Sequence, residues 1–146
     1  MGNKTVTAAR PEGRKRILFV CTHNSSRSQM AEGLFRALKG ERWEVHSTGT
    51  EPTAVHPAAI AVMAEIGIDI GGQRAKSLDA VTGITFDEVV TVCDHAQESC
   101  PVVPGGGVRH HRSFEDPAAA KGTEKEILAV FQRVRDEIRT WILDTY

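Results

Sequence analysis

The chain has 146 residues, the length of one ordinary domain, and a formal net charge of -1. This balance gives no reason to expect nucleic acid or an anionic membrane as a partner. The polar first residues lack the apolar stretch of a secretory signal, and no apolar run approaches the ~20 residues of a membrane span. Three widely spaced cysteines do not resemble the disulfide framework of a secreted protein, so we expect a cytoplasmic protein with reduced thiols.

Strand and helix patterns alternate along the chain. Residues 1–13 are predicted to form a flexible tail, and residues 14–146 a single domain. The predicted elements are, in order, a strand at 17–20, a helix from residue 30 to Gly40, a strand at 43–47, a helix from Pro57 to Gly67, a strand at 89–92, a strand at 108–114 and a final long helix. Thr123 followed by Glu126 is a capping-box pattern that predicts where the last helix begins.

Strands that alternate with helices predict a parallel sheet covered on both faces. In such α/β folds, ligands bind at the carboxyl ends of the strands. Cys21, Cys93 and Asp116 each come just after a predicted strand. We therefore expect these three reactive side chains to lie at one edge of the sheet.

The turn after the first strand predicts an anion site. It has the spacing C-x5-R-S and consists of Cys21, Thr22, His23, Asn24, Ser25, Ser26, Arg27 and Ser28. Five residues between Cys21 and Arg27 can close a loop whose backbone N–H groups point inward and bind a tetrahedral oxyanion such as phosphate or sulfate. The planar guanidinium of Arg27 can hold two oxyanion oxygens at once. The glycine-rich pattern of nucleotide-binding loops is absent.

The positive field of this loop should also favour the thiolate of Cys21. A thiol with an ordinary pKa of about 8.5 is roughly 3% ionised at pH 7, whereas a pKa of about 6.5 gives roughly 75% thiolate. Ser28 can donate a hydrogen bond that supports the same state. The alternative is that Cys21 is a small apolar residue at the end of a strand.

Cys93 and Cys100 lie seven positions apart, which is not a typical zinc spacing, although His95, His110 and His111 are nearby in sequence. The pair can be two unrelated core cysteines. It can also be a thiol relay, because thiol exchange needs a thiolate, an accessible sulfur and a mobile segment between them. The residues alone leave these alternatives open.

The segment from Phe19 to Gly33 resembles the opening of the low-molecular-weight tyrosine phosphatase superfamily, and its Gln29-Met30-Ala31-Glu32-Gly33 is closer to the arsenate reductase branch. The resemblance runs from about residue 15 to the C-terminus. It implies a three-layer α/β sandwich with a four-stranded parallel sheet and helices on both faces. It also implies that Cys21 is the nucleophile, that Arg27 holds the oxyanion, and that Asp116 of the Glu115-Asp116-Pro117 loop is the general acid.

The arsenate reductase branch carries two further cysteines in a redox loop, which Cys93, Cys100 and the following Pro101 resemble. The resemblance implies reduction of arsenate to arsenite through Cys21–Cys93 and Cys93–Cys100 disulfides, with thioredoxin or a related thiol as reductant and no cofactor. Family members often bind potassium at positions matching Asn24, Glu32 and Ser47, but here Lys76 replaces the acidic ligand. No metal is therefore expected.

Two rival functions remain at this point. A phosphatase of the same fold would hydrolyse phosphomonoesters with Cys21, Arg27 and Asp116 alone. Against it stand the Cys93/Cys100 pair and the small Ala118, since an aromatic residue typically follows the proline in these phosphatases. A thiol sensor or arsenite-binding module would use the three cysteines as soft ligands, but it leaves Arg27 and Asp116 without a role.

Overall fold

The computed structural model describes residues 13–92 and 107–146. The strands are β1 (Lys15–Cys21), β2 (Trp43–Gly49), β3 (Glu88–Thr91) and β4 (Val108–His111). The α-helices are α1 (Arg27–Lys39), α2 (Pro57–Ala64) and α3 (Glu124–Thr145), and two short 3-10 helices span Leu78–Val81 and Pro117–Ala119. Each predicted strand and helix in the described ranges is present, although several begin or end a few residues away from the predicted positions.

The four strands form one parallel sheet, as predicted, and the structure gives their order as β2-β1-β3-β4. β1 lies between β2 and β3, and its last residue, Cys21, is in register with Gly49 at the end of β2. Because all strands run the same way, their carboxyl ends share one edge of the sheet. That edge carries Cys21.

The apolar run of β1 is buried on both faces of the sheet, as its unbroken hydrophobic pattern predicts. Ile17 and Phe19 belong to the larger core, which α1, α2 and α3 cover on one face. Leu18 and Val20 belong to a smaller core on the other face, which the 3-10 helix Leu78–Val81 helps to cover. The strand that ends in Cys21 is therefore held from both sides.

α1 begins at Arg27, directly after the loop that follows β1 and three residues before the predicted start. Its first turn carries no acidic residue, and the Ser26 side chain at its N-cap makes no capping hydrogen bond. The free N–H groups at a helix N-terminus and the helix dipole both favour an anion. The start of α1 thus leaves room for an anion at the carboxyl edge of the sheet.

α3 is the longest helix in the described part of the chain, and it begins with the predicted capping box. The Thr123 hydroxyl accepts a hydrogen bond from Glu126 N at 3.1 Å, and Glu126 Oε1 accepts one from Thr123 N at 2.8 Å. Among the helices that the structure describes, none is long and apolar enough to cross a membrane.

Candidate active site

Cys21 lies at the end of β1 and is 2% exposed. Its sulfur accepts a hydrogen bond from the backbone N–H of Asn24 at 3.1 Å and lies 2.8 Å from the hydroxyl oxygen of Ser28. Both contacts place a polar group on the sulfur of a side chain that is otherwise buried in the core. Such contacts favour a thiolate over a neutral thiol.

Asn24 gives the loop its turn. Its φ of +49° is the only positive value at a non-glycine residue in the described ranges, and asparagine tolerates this left-handed conformation better than most residues. The turn directs Asn24 N–H back to the sulfur of Cys21. The C-x5-R spacing predicts a turn at this place, and the backbone forms one; that the turn binds an anion stays a prediction.

A second segment, residues 49–56, supports the loop from outside. Four of its N–H groups donate to loop carbonyls at 2.7–3.2 Å: Thr50 to Cys21, Glu51 to Thr22, Thr53 to His23 and His56 to Ser25. These four hydrogen bonds tie the loop carbonyls to the neighbouring segment and hold the loop in place. Sequence analysis did not identify this segment, and the one local signal was a glycine, Gly49, at the end of a strand.

The hydrogen bonds of Asn24 determine the direction of the Ser28 proton. Asn24 Nδ2 is a donor only, and it lies 2.8 Å from Ser28 Oγ and 2.9 Å from Ser47 Oγ. Both hydroxyl oxygens therefore accept from Asn24. The hydrogen of Ser28 is left to point at Cys21 Sγ, where it stabilises negative charge on the sulfur.

Arg27 and Asp116 complete the site. The Arg27 side chain is buried, and its guanidinium donates to Phe114 O at 3.3 Å and lies 3.5 Å from Asp116 Oδ2. Together with Cys21 they line a cavity of about 180 Å³, whose other lining residues are His23, Ser25, Ser26, Thr53 and Ala118. The structure thus brings together a cysteine sulfur, a guanidinium and a carboxyl group.

The loop that carries Asp116 separates the two adjacent acids. Asp116 caps the 3-10 helix Pro117–Ala119, because its Oδ1 accepts a hydrogen bond from Ala118 N at 3.0 Å. Glu115 instead pairs with Arg133 of α3 at 2.6 Å. Only Asp116 of this pair lines the cavity, so it is the carboxyl group available to a bound anion.

A cluster of charges lies behind the loop. Glu32 is buried, and it accepts a hydrogen bond from Ser47, pairs with Arg36 at 2.6 Å and lies 3.6 Å from the ammonium of Lys76. The ammonium thus stands beside the carboxylate that the family resemblance assigns to potassium. These residues do not fit a potassium ion. Within the described ranges, no three histidine, cysteine or acidic side chains are grouped as a metal site.

The loop residues from Cys21 to Ser28 and Asp116 lie in the described part of the chain, and all but Thr22, Asn24 and Ser28 line the cavity. Thr22, Asn24 and Ser28 belong to the same loop and support it through hydrogen bonds. Cys93 and Cys100, with His95, lie outside the described residues. His110 and His111 lie on β4, where His110 contacts Glu88 and His111 contacts Thr91.

Comparison with known proteins identifies the family of this chain. The family described as "Low molecular weight phosphotyrosine protein phosphatase" matches residues 16–144. An arsenate reductase of Halalkalibacterium halodurans is 49% identical over 125 residues, which cover 86% of this chain and 90% of the relative.

Two solved structures extend the comparison. One is an arsenate reductase in the phosphate binding state, with a TM-score of 0.73, 32% identity and coverage of 89% of this chain and 95% of that chain. The other is a thioredoxin-dependent arsenate reductase of Corynebacterium glutamicum, with a TM-score of 0.61, 26% identity and coverage of 92% of this chain and 65% of that chain. This chain therefore belongs to the low molecular weight phosphotyrosine protein phosphatase family, on the branch formed by its arsenate reductase relatives.

Proposed function

We propose that this protein reduces arsenate to arsenite, with Cys21 as nucleophile and Cys93 and Cys100 as a disulfide relay. The observation that carries the proposal is the Cys21 sulfur, which receives hydrogen bonds in a cavity that also holds Arg27 and Asp116. About 180 Å³ is smaller than the ~300–1,000 Å³ of typical organic-ligand pockets. A cavity of this size suits a tetrahedral inorganic anion.

The first step forms a bond between sulfur and arsenic. Arsenate lies in the loop of residues 21–28 with its oxygens held by loop N–H groups and Arg27. The Cys21 thiolate attacks arsenic, and Asp116 gives a proton to the departing oxygen, which leaves as water. Arg27 and the loop dipoles are fixed before the reaction, so they stabilise the developing charge without reorganisation.

The second step releases arsenite. The Cys93 thiolate attacks the sulfur of Cys21, the sulfur–arsenic bond breaks, and its electron pair stays on arsenic, which becomes As(III). The product is a Cys21–Cys93 disulfide. Cys100 then attacks Cys93, Cys21 leaves as a thiolate, and a Cys93–Cys100 disulfide remains for a thioredoxin-like dithiol to reduce. Two cysteine thiols thus supply the two electrons.

Two observations support the relay. Val92, the residue before Cys93, donates its N–H to Val20 O at 3.0 Å, so the chain enters residues 93–106 beside the end of β1. Val20 is in turn the neighbour of Cys21. A related solved structure is a thioredoxin-dependent arsenate reductase, and the same kind of reductant is proposed here.

Arsenate-dependent NADPH consumption with thioredoxin and thioredoxin reductase tests the proposal. We expect turnover in the wild type and none in Cys93→Ser or Cys100→Ser. After one exposure to arsenate, intact-mass analysis of Cys100→Ser should find a trapped Cys21–Cys93 disulfide, because the resolving thiol is missing. Turnover that persists in Cys93→Ser would contradict the relay.

The second candidate function is hydrolysis of phosphomonoesters, since the family takes its description from phosphatases. It needs only Cys21, Arg27 and Asp116. The wall of the cavity is formed in part by Ala118, which offers no aromatic face to a phosphotyrosine ring. Absence of arsenate turnover, together with para-nitrophenyl phosphate hydrolysis that survives Cys93→Ser and Cys100→Ser, would establish this second function instead.

A further inference from the structure

Gln29, in the first turn of α1, bridges the anion loop and a distant segment. Its side chain is completely buried. Its Nε2 shares two hydrogens among three acceptors: Asn24 O at 3.0 Å, Asn24 Oδ1 at 2.9 Å and Arg74 O at 2.8 Å. Gln73 Nε2 donates in turn to Gln29 Oε1 at 2.7 Å. A buried amide with this many partners has one permitted orientation.

The same donors fix the orientation of the Asn24 amide. The backbone N–H of Lys76 lies 2.8 Å from Asn24 Oδ1, and a backbone N–H can only donate. Gln29 Nε2 is the second donor on that oxygen. Two donors therefore hold Oδ1 on one side and leave Nδ2 to face Ser28 and Ser47.

A reversed Asn24 amide would change the partner of the Ser28 proton. In the reversed orientation Oδ1 would face Ser28 and would attract the hydroxyl hydrogen that now points at Cys21 Sγ. The sulfur would then lose one of its hydrogen bonds. Two hydrogen bonds to Asn24 Oδ1 oppose this reversal, one from Gln29 Nε2 and one from Lys76 N, and the bond from Gln29 is the one that a side-chain substitution can remove.

We infer that Gln29 is a positioning residue that, by holding the Asn24 amide, directs the Ser28 proton to the Cys21 sulfur. Three successive hydrogen bonds connect Gln29 to the sulfur: Gln29 donates to Asn24, Asn24 donates to Ser28, and Ser28 donates to Cys21. The inference deepens the proposed function, because it rests on Cys21 as the nucleophile. Its test, however, reads the ionisation of the thiol and does not depend on arsenate turnover.

Gln29→Met tests the inference in a full-length chain that also carries Cys93→Ser and Cys100→Ser, so that Cys21 is the only thiol. Methionine has a similar volume and no N–H to donate. The pH dependence of iodoacetamide alkylation gives the midpoint of Cys21 ionisation. Since a hydrogen bond to a charged group typically shifts a pKa by one unit or more, we expect Gln29→Met to raise the midpoint by roughly 0.5–1 pH unit.

Ser28→Ala provides the decisive control, because it removes the hydrogen bond from the Ser28 hydroxyl to the Cys21 sulfur. Alone it should raise the midpoint by roughly one unit or more. Added to Ser28→Ala, Gln29→Met should produce no further shift, since no Ser28 proton remains to be directed. An equal Gln29→Met shift in both backgrounds would overturn the inference and would assign the effect to general distortion of the loop.

A second variant serves if methionine prevents folding, as judged by circular dichroism. In Gln29→Glu, a carboxyl oxygen would replace the Nε2 group that now faces three oxygens, so at most one hydrogen would remain to be donated. We expect this variant to raise the midpoint as Gln29→Met does, and to cause no further rise in a chain that already carries Ser28→Ala. An unchanged midpoint in a folded Gln29 variant would refute the role. A shifted midpoint, together with no arsenate turnover in the wild-type chain that keeps Cys93 and Cys100, would refute the proposed function but not this inference.

Discussion

At the scale of single residues, the anion loop depends on one position where no side chain fits. A Cβ at Gly49 would lie 2.6 Å from Thr22 O and 2.7 Å from Asn24 N. Both contacts are to backbone atoms of the loop, which cannot move aside without disturbing the bond from Glu51 N to Thr22 O and the bond from Asn24 N to Cys21 Sγ. The glycine is therefore required by the close approach of β2 to the loop.

We expect Gly49→Ala to weaken sulfate binding by at least about tenfold and to lower the free energy of unfolding by roughly 1–3 kcal/mol, because overpacking forces the backbone to shift. Calorimetric titration with sulfate and urea unfolding would measure the two effects. Gly72→Ala is the matched control: a Cβ there meets nothing within 4 Å, so both quantities should stay near wild type. Wild-type sulfate affinity in Gly49→Ala would contradict the argument.

At the scale of elements, two helices begin in opposite ways. Ser26, at the N-cap of α1, makes no capping bond, and its buried hydroxyl has no hydrogen-bond partner. Thr123, at the N-cap of α3, forms a complete capping box with Glu126. The hydrogen bond from Thr123 N–H lowers the pKa of Glu126 below its ordinary 4.5, so the box is intact near neutral pH. α3 stabilises its own start, whereas α1 leaves its start open to an anion.

Thr123→Ala should therefore destabilise the protein by about 1 kcal/mol, the usual value for loss of an N-cap side chain. Urea unfolding at neutral pH would measure it. Thr140→Ala, on the exposed surface of the same helix, is the control, and it should be neutral or slightly stabilising because alanine has the higher helix propensity. Equal effects of the two substitutions would mean that the box contributes nothing measurable.

At the scale of the whole molecule, local patterns predicted most of the fold. Residues that are neighbours in the chain specify β1, the loop that follows it and the capping box of α3. Each of these is present at its predicted position. The support of the loop by residues 49–56 and the bridge from Gln29 to Arg74 could not be predicted. They join residues far apart in the chain, and single polar residues carry no signal of their distant partners.

The cavity also joins distant parts of the chain, because Arg27 begins α1 and Asp116 lies between β4 and α3. Their 3.5 Å contact has a consequence for anion binding. A bound dianion must share Arg27 with the Asp116 carboxylate and is repelled by it. An anion that binds only the folded state stabilises the whole molecule, so this competition can be read from global unfolding.

We expect Asp116→Asn to bind sulfate about tenfold more tightly than the wild type, and so to gain about 1.4 kcal/mol more stability at saturating sulfate. Thermal unfolding over a series of sulfate concentrations would measure the gain. The same variant should reduce arsenate more slowly, because it lacks the proton donor.

Glu115→Gln, whose parent side chain pairs with Arg133 outside the cavity, should keep the wild-type sulfate response. If Asp116→Asn and the wild type respond alike, Asp116 does not compete for Arg27. Tighter sulfate binding combined with slower turnover would instead identify Asp116 as a group that opposes the ground-state anion and acts in the chemical step.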